Sequence, residues 1–241
     1  MKFLQASFLS GLSVAVRSVG MFIINKLVAV FYGPDGITLL AHFQNFLSIL
    51  LTTSTDGINR GLIKYLSDRF TGTTRYRDVF WTSLILNLAV FVLVAGGVLI
   101  YRDYFIDMFA LGIGGWYWFF AILFALLFHL LNYFFLSVLL SVQKIKIYVG
   151  LNIGATVLSV LMVTLGVYLG HIGWVLLLYG FGSASLFWLA AIIVVRLKPQ
   201  VRSLKEYTFT WHNFRQIFGF IAMALSVVFF GKIVDFLVRD Y

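Results

Sequence analysis

Between Gly33 and Tyr65 an otherwise apolar stretch carries Asn45, Ser48, Thr52, Asp56 and Asn59. At about 100° per residue these side chains fall within one sector of a helix, with Arg60 beside them. Carboxamides and hydroxyls in that register can line a hydrated path, and a carboxylate among them, Asp56, can take a proton or a sodium ion. Asp56 and Arg60 are also four residues apart, the spacing at which helical side chains meet. The alternative is therefore an ion pair that neutralises itself and only fixes packing. Two further cations, Arg17 and Lys26, lie in the preceding apolar stretch. Nine residues is half a turn out of phase, so a straight helix cannot turn both to one side. Lys26 can snorkel outward, whereas Arg17 is too deep to escape and requires an anion or a carboxylate opposite it. Farther on, His129 and Asn132 stand three apart near the middle of another apolar stretch. One histidine is a poor metal site, which leaves a hydrogen-bonded packing role or a proton relay. Near the end, Lys232, Asp235 and Arg239 share a helical face and either line a cavity or mark an exposed helix end.

The elements that position these residues belong in a membrane. With 61% hydrophobic and only 11% charged residues in 241, a soluble domain could not cover its own surface with polar groups. The formal charge of +9 then reads as basic loops held on one side of a bilayer and drawn to anionic lipid headgroups, with no nucleic acid implied. No cysteine is present, so disulfides and thiolate metal sites are excluded. No phosphate-cradling loop or other cofactor motif is found. The first apolar stretch exceeds a signal h-region and holds Arg17 and Lys26, so it reads as a span.

Seven segments reach the roughly 20 residues a helix needs to cross the hydrocarbon core. They are Ala6 to Tyr32, Ile37 to Tyr65, Val79 to Tyr101, Trp116 to Val142, Ile147 to Leu169, Ile172 to Val195, and Phe214 to Val238. The expected fold is all-α, a polytopic bundle. Residues 1–195 form a six-helix lobe, 196–213 a basic connection, and 214–241 the first helix of a second lobe. Lys2, the connection holding Lys64, Arg69, Arg75 and Arg77, the Lys144/Lys146 turn and the last basic loop share one side, while the opposite loops hold only Arg102. The positive-inside rule makes that side, and the N-terminus, cytoplasmic.

Lys26-Leu27 followed by Gly33-Pro34-x-Gly36, then Gly57-Ile58-x-x-Gly61-x-x-Lys64-Tyr65, resembles the N-terminal part of the Wzx-type O-antigen and lipid III flippases of the multidrug/oligosaccharidyl-lipid/polysaccharide exporter superfamily. Arg17, nine positions before Lys26, and Arg239 near the end of the seventh span are similar to that pattern too. The resemblance implies two six-helix lobes around a cavity open alternately to either side of the bacterial inner membrane. It implies as cargo an undecaprenyl-diphosphate-linked oligosaccharide, with polysaccharide polymerase machinery as a partner. Arg17, Lys26, Arg60 and Arg239 would meet the diphosphate, Asn45, Ser48, Thr52 and Asn59 the sugars, and Asp56, His129 or Asp235 a coupling ion. Asp56 and Arg60 depart from the small residues or asparagine that relatives more often carry, so their pairing reshapes the ligand set.

Two other classes stand beside this reading. A drug or cation antiporter of the same superfamily would want a net acidic cavity, whereas deep cations here outnumber deep acids. A membrane enzyme acting on isoprenoid diphosphates would want clustered cytoplasmic carboxylates, and Asp68, Asp78 and Glu206 are scattered.

Overall fold

The computed structural model describes residues 3–67, 73–109, 115–197, 211, 214–223 and 226, and all regular structure among them is helical. The elements are α1 (Phe3–Leu51), a π-helical turn (Thr52–Asp56), α2 (Gly57–Ser67), α3 (Thr73–Ile100), α4 (Arg102–Met108), α5 (Gly115–Ser141), α6 (Ile145–Tyr168), α7 (Ile172–Ala184) and α8 (Phe187–Leu197). A last described helix, α9, covers Phe214–Met223. Five helices are long and apolar enough to cross a membrane, the first of them running through residue 51. With the composition, this makes a multi-pass membrane protein.

That first helix is a hairpin. Gly33 has φ 67° and ψ −161°, a region essentially reserved for glycine, and Pro34 opens the returning arm with its φ already set for a helix. In a straight helix Met21 and Gln44 would lie about 34 Å apart. Instead the Gln44 amide reaches the Met21 sulfur at 3.4 Å. The arms, residues 3–32 and 34–51, therefore lie side by side, and α2 extends the second arm beyond the π turn. Two spans expected from the sequence are thus present within what is one continuous run of helix. With α3, α5, α6 and the α7/α8 pair, the described residues account for six of the seven expected segments. The seventh is described only over Phe214–Met223, and the expected residues Lys232, Asp235 and Arg239 lie outside the described residues, as do Lys2, Arg69 and most of the connection 198–213. The short α4 was not anticipated; it lies where the sequence implied an irregular loop, and its Phe105, with the following Phe109, packs on Phe46 of the second arm.

Toward the Gly33 end the bundle is dry. Val28, Leu40, Phe43, Ile122, Val163 and Val175, contributed by both arms and by α5, α6 and α7, are all essentially inaccessible and belong to one cluster. Phe109 closes edge-on against Phe43 at 5.5 Å. A second cluster binds α2, α3, α5 and α8 around Leu62, Phe80, Phe134 and Ala190 nearer the opposite end. Ile217 and Ile221 of α9 pack on Ile58 of α2, and Phe220 lies against Gly61 and Tyr65.

Helices α6 and α7 approach each other at backbone contact. A Cβ at Gly182 would meet the Ser159 Cα at 2.5 Å, and one at Gly166 would meet the Val175 Cα at 3.0 Å. Without a bulk-water hydrophobic drive between helices, such contact of backbones supplies much of the association. Gly182→Val should therefore force α6 and α7 apart and destabilise the helical bundle by about 1–3 kcal/mol. Gly150→Ala, with open space at its Cβ, should be near neutral. Thermal unfolding of the purified variants in detergent checks both.

Candidate functional site

The described residues enclose a cavity of about 430 Å³ where both arms of α1, the π turn, α5, α6 and α7 come together. Polar groups from every one of these elements meet at its wall, set among Ile24, Leu47, Leu51 and Leu136. The first arm contributes Arg17 and Met21, and the second arm with the π turn contributes Gln44, Asn45, Ser48, Thr52, Thr55 and Asp56. From α5 come His129, Asn132 and Tyr133; from α6, Asn152, Thr156 and Ser159; from α7, Tyr179 and Ser183. Gly20 lets the first arm settle directly on Thr156 of α6, which brings Arg17 over this wall.

Arg17 is the singular feature. Its side chain is exposed to the cavity, and it makes no hydrogen bond or ion pair among the described residues. His129 and Tyr179 lie within electrostatic range of it. Asp56 does not serve Arg17: one of its carboxylate oxygens accepts from an Arg60 guanidinium nitrogen at 2.7 Å. That pair is open to solvent, with the arginine side chain 58% exposed and the aspartate 31%. The cavity thus holds one cation without a counter-charge and one carboxylate already matched.

Many other wall groups are committed to their own helices. Thr55 donates to the Leu51 carbonyl at 2.8 Å, Asn152 to Tyr148 at 2.9 Å and Thr156 to Asn152 at 2.9 Å. The hydroxyls still present acceptor lone pairs to the cavity. Asn45, Ser48 and Thr52 form no hydrogen bond through their side chains among the described residues and line the wall freely. On α5 and α7, Asn132 Nδ2 donates to the Ser183 carbonyl at 3.1 Å, and Ser183 Oγ lies 2.7 Å from His129 Nδ1.

The expected stripe therefore assembles in part. Arg17, Asn45, Ser48, Thr52, Asp56 and His129 share the cavity. Lys26 does not reach it; it lies exposed, farther along the first arm toward the Gly33 end. Arg60 is one turn beyond the wall and joins it only through Asp56. Asn59 departs from the single-sector expectation, and the reason is the π turn. Each i→i+5 turn takes up one residue more than an α turn, so residues after Asp56 lag the register that an unbroken 100° count assigns. Asn59 is turned into the α2–α3 contact, where its Oδ1 accepts from Asn87 Nδ2 at 3.4 Å and Asn87 also donates to the Ser83 carbonyl at 3.0 Å. Arg239 and Asp235 lie outside the described residues.

Asn152, Thr156 and Ser159 have the i, i+4, i+7 spacing of a helix contact, yet they face the cavity. Ser183 is small enough to permit close packing, and here it anchors His129. The signal that could have found them was the recurrence of hydroxyl and amide groups at helical spacing in three separate spans. Gln44, Tyr133 and Tyr179 carried no such signal.

Among known proteins, the chain is similar to the lipid III flippase of Escherichia coli (strain K12) and to the lipid III flippase of Shigella flexneri, each 30% identical over 95 residues. The likeness covers 39% of this chain and 23% of the length of each relative. No family model and no solved structure matches the chain.

Because the chain contains no cysteine, single cysteines can be introduced without background. Asn45→Cys, Ser48→Cys and Thr52→Cys should react with a membrane-impermeant maleimide in detergent-solubilised protein at least about tenfold faster than Leu40→Cys or Phe43→Cys, since the thiolate reacts only where water reaches it. Mass spectrometry of the labelled protein reads the rates.

Proposed function

We propose that this chain is the N-terminal part of a flippase of the bacterial inner membrane, one that moves an undecaprenyl-diphosphate-linked oligosaccharide of the O-antigen or lipid III type across the bilayer by alternating access. Residues 1–195 would form its first lobe, 196–213 a basic cytoplasmic connection and 214–241 the start of a second lobe. The observation that carries the reading is Arg17, a guanidinium turned into a polar cavity within an apolar bundle, with no carboxylate opposite it among the described residues.

The chemistry follows from that residue. A membrane-embedded charge is retained where it meets a partner, and Arg17 finds no carboxylate among the described residues. A diphosphate supplies what is missing, because guanidinium groups hold phosphate oxygens through paired, charge-assisted hydrogen bonds. A cavity of about 430 Å³ falls in the range that takes a small ligand, so a diphosphate and the adjoining sugar fit the space while the isoprenoid tail stays in lipid. The unengaged Asn45, Ser48 and Thr52 supply donors and acceptors for sugar hydroxyls. The dry cluster at the Gly33 end supports a state closed on that side, the periplasmic one if the N-terminus is cytoplasmic. The similarity to lipid III flippases supports the same class of cargo.

A cation exporter built on the same scaffold would need a free negative charge in the cavity. Asp56 is there, but Arg60 already neutralises it at 2.7 Å, while Arg17 stays unmatched. The balance favours an anionic cargo. In this reading the transported anion is also the natural competitor for Arg60, and its arrival would release Asp56 to take up a proton or sodium ion.

Two outcomes are expected. In the full-length protein, Arg17→Ala should weaken binding of undecaprenyl diphosphate by about ten- to a hundredfold, the worth of a hydrogen bond to a charged group, and abolish surface polysaccharide while expression is kept. Arg17→Lys should recover part of the affinity. Normal binding by Arg17→Ala would remove this residue from the site. Asp56→Asn should blunt the dependence of transport on the proton or sodium gradient in reconstituted vesicles, and unchanged dependence would exclude Asp56 from coupling.

A further inference from the structure

The α5–α7 corner of the cavity holds an oxygen whose partner is missing. Asn132 is only 5% exposed, and its Oδ1 is buried with no hydrogen bond. The amide cannot resolve this by turning over, because its Nδ2 is committed to the Ser183 carbonyl at 3.1 Å, where an oxygen would be repelled. Leaving such an acceptor unmatched is unfavourable, so a group that remains so at a cavity wall points to something that enters the cavity.

One helical turn away, His129 is held in the same way. Ser183 Oγ donates to the Gly180 carbonyl at 3.0 Å and lies 2.7 Å from His129 Nδ1. With the serine proton on Gly180, the serine oxygen accepts from Nδ1–H, and every member of this chain is satisfied. Nε2 of the neutral ring then carries a lone pair, and it has no partner among the described residues. Asn132 and His129 are three apart on α5, so both lie on the same wall of the cavity.

This pair has the opposite chemistry to Arg17. Arg17 only donates; Asn132 Oδ1 only accepts, and so does His129 Nε2 in the tautomer whose Nδ1–H donates to Ser183. An ionised diphosphate offers acceptors alone, so neither of them gains anything from it, and an isoprenoid chain offers nothing. What they can take is a hydroxyl or amide hydrogen on a group next to the anion. Resting on the flippase reading, we propose that His129 and Asn132 form a sugar subsite that reads a hydroxyl or amide N–H donor on the sugar attached directly to the diphosphate, and so separate glycosylated from bare lipid carrier.

The test uses full-length protein in nanodiscs and two probes: undecaprenyl diphosphate, and undecaprenyl diphosphate carrying a single N-acetylhexosamine, which offers both kinds of donor. The wild type should bind the glycosylated probe about three- to tenfold more tightly, the worth of one or two net hydrogen bonds. Asn132→Leu and His129→Leu should each erase much of that preference while keeping affinity for the bare carrier, and His129→Gln, which restores an acceptor, should retain it. Should Asn132→Leu fail to fold, the two His129 variants carry the same readout. Absence of preference in the wild type, or equal losses for both probes in the leucine variants, would overturn the subsite and leave the anion reading standing. An Arg17→Ala protein that binds both probes as the wild type does would overturn the anion reading and the subsite with it.

Discussion

An arginine with no counter-charge among the described residues, set at a cavity between apolar helices, is the constraint on which the arrangement turns. At 4 Å a unit anion gains about 1 kcal/mol from such a charge in water, and about 4 kcal/mol at the effective dielectric of a partly enclosed site. The same enclosure makes the unmatched charge unfavourable in the resting protein. Both effects follow from placing Arg17 where the arm packs on α6 through Gly20, and neither would survive if the side chain lay on the lipid face. The polar groups opposite it, drawn from the second arm, the π turn, α5, α6 and α7, make the position tolerable by offering dipoles to the charge.

Two breaks in helical regularity hold that wall in place. Gly33 turns the chain back on itself, so that the second arm runs beside the first and Asn45, Ser48 and Thr52 come to the same space as Arg17. The π turn over Thr52–Asp56 then shifts the register, which keeps Asp56 on the wall while carrying Asn59 into the α2–α3 contact. Backbone irregularity inside a membrane persists where its polar groups find partners or line a cavity, and the π turn lies at this one. A regular helix through these residues would have kept the stripe continuous and left α2 and α3 without their buried amide contact.

What could be read from residues alone was set by the length of the pattern. Apolar segments of 20 or more residues are unambiguous, and the structure has helices over each of the first six, within a few residues of the expected limits apart from the earlier start of α3. The hairpin was legible because Gly33-Pro34 is a strong local punctuation. The convergence of α5, α6 and α7 on one cavity was not, since which face of an all-round apolar helix turns inward depends on its neighbours. Hence nothing in the spacing of Thr156 or Ser183 distinguishes a cavity-lining hydroxyl from one that only packs. Asn59 was misjudged for a different reason: hydroxyl-rich Thr52–Asp56 bends to i→i+5 bonding, and a count at 100° per residue has no means of seeing that change.

The two charged centres on the wall also differ in how firmly they are held, and this bears on selectivity. The Asp56–Arg60 pair is short, at 2.7 Å, yet it is i,i+4 on one helix and open to solvent. Pairs of that kind contribute little, about 0–1 kcal/mol, because water competes for both partners. An entering anion can therefore draw Arg60 away at small cost, which would leave the cavity with two cations facing the cargo and one carboxylate freed beside them. A cation entering instead would have to displace Arg60 from Asp56 and would still meet Arg17. Because so weak a pair yields as readily to a cation at Asp56 as to an anion at Arg60, the proposed preference for an anion rests on the number of charges, with Arg17 and Arg60 set against Asp56. The proposed bias needs only two side chains one helical turn apart and a third, Arg17, with no counter-charge among the described residues.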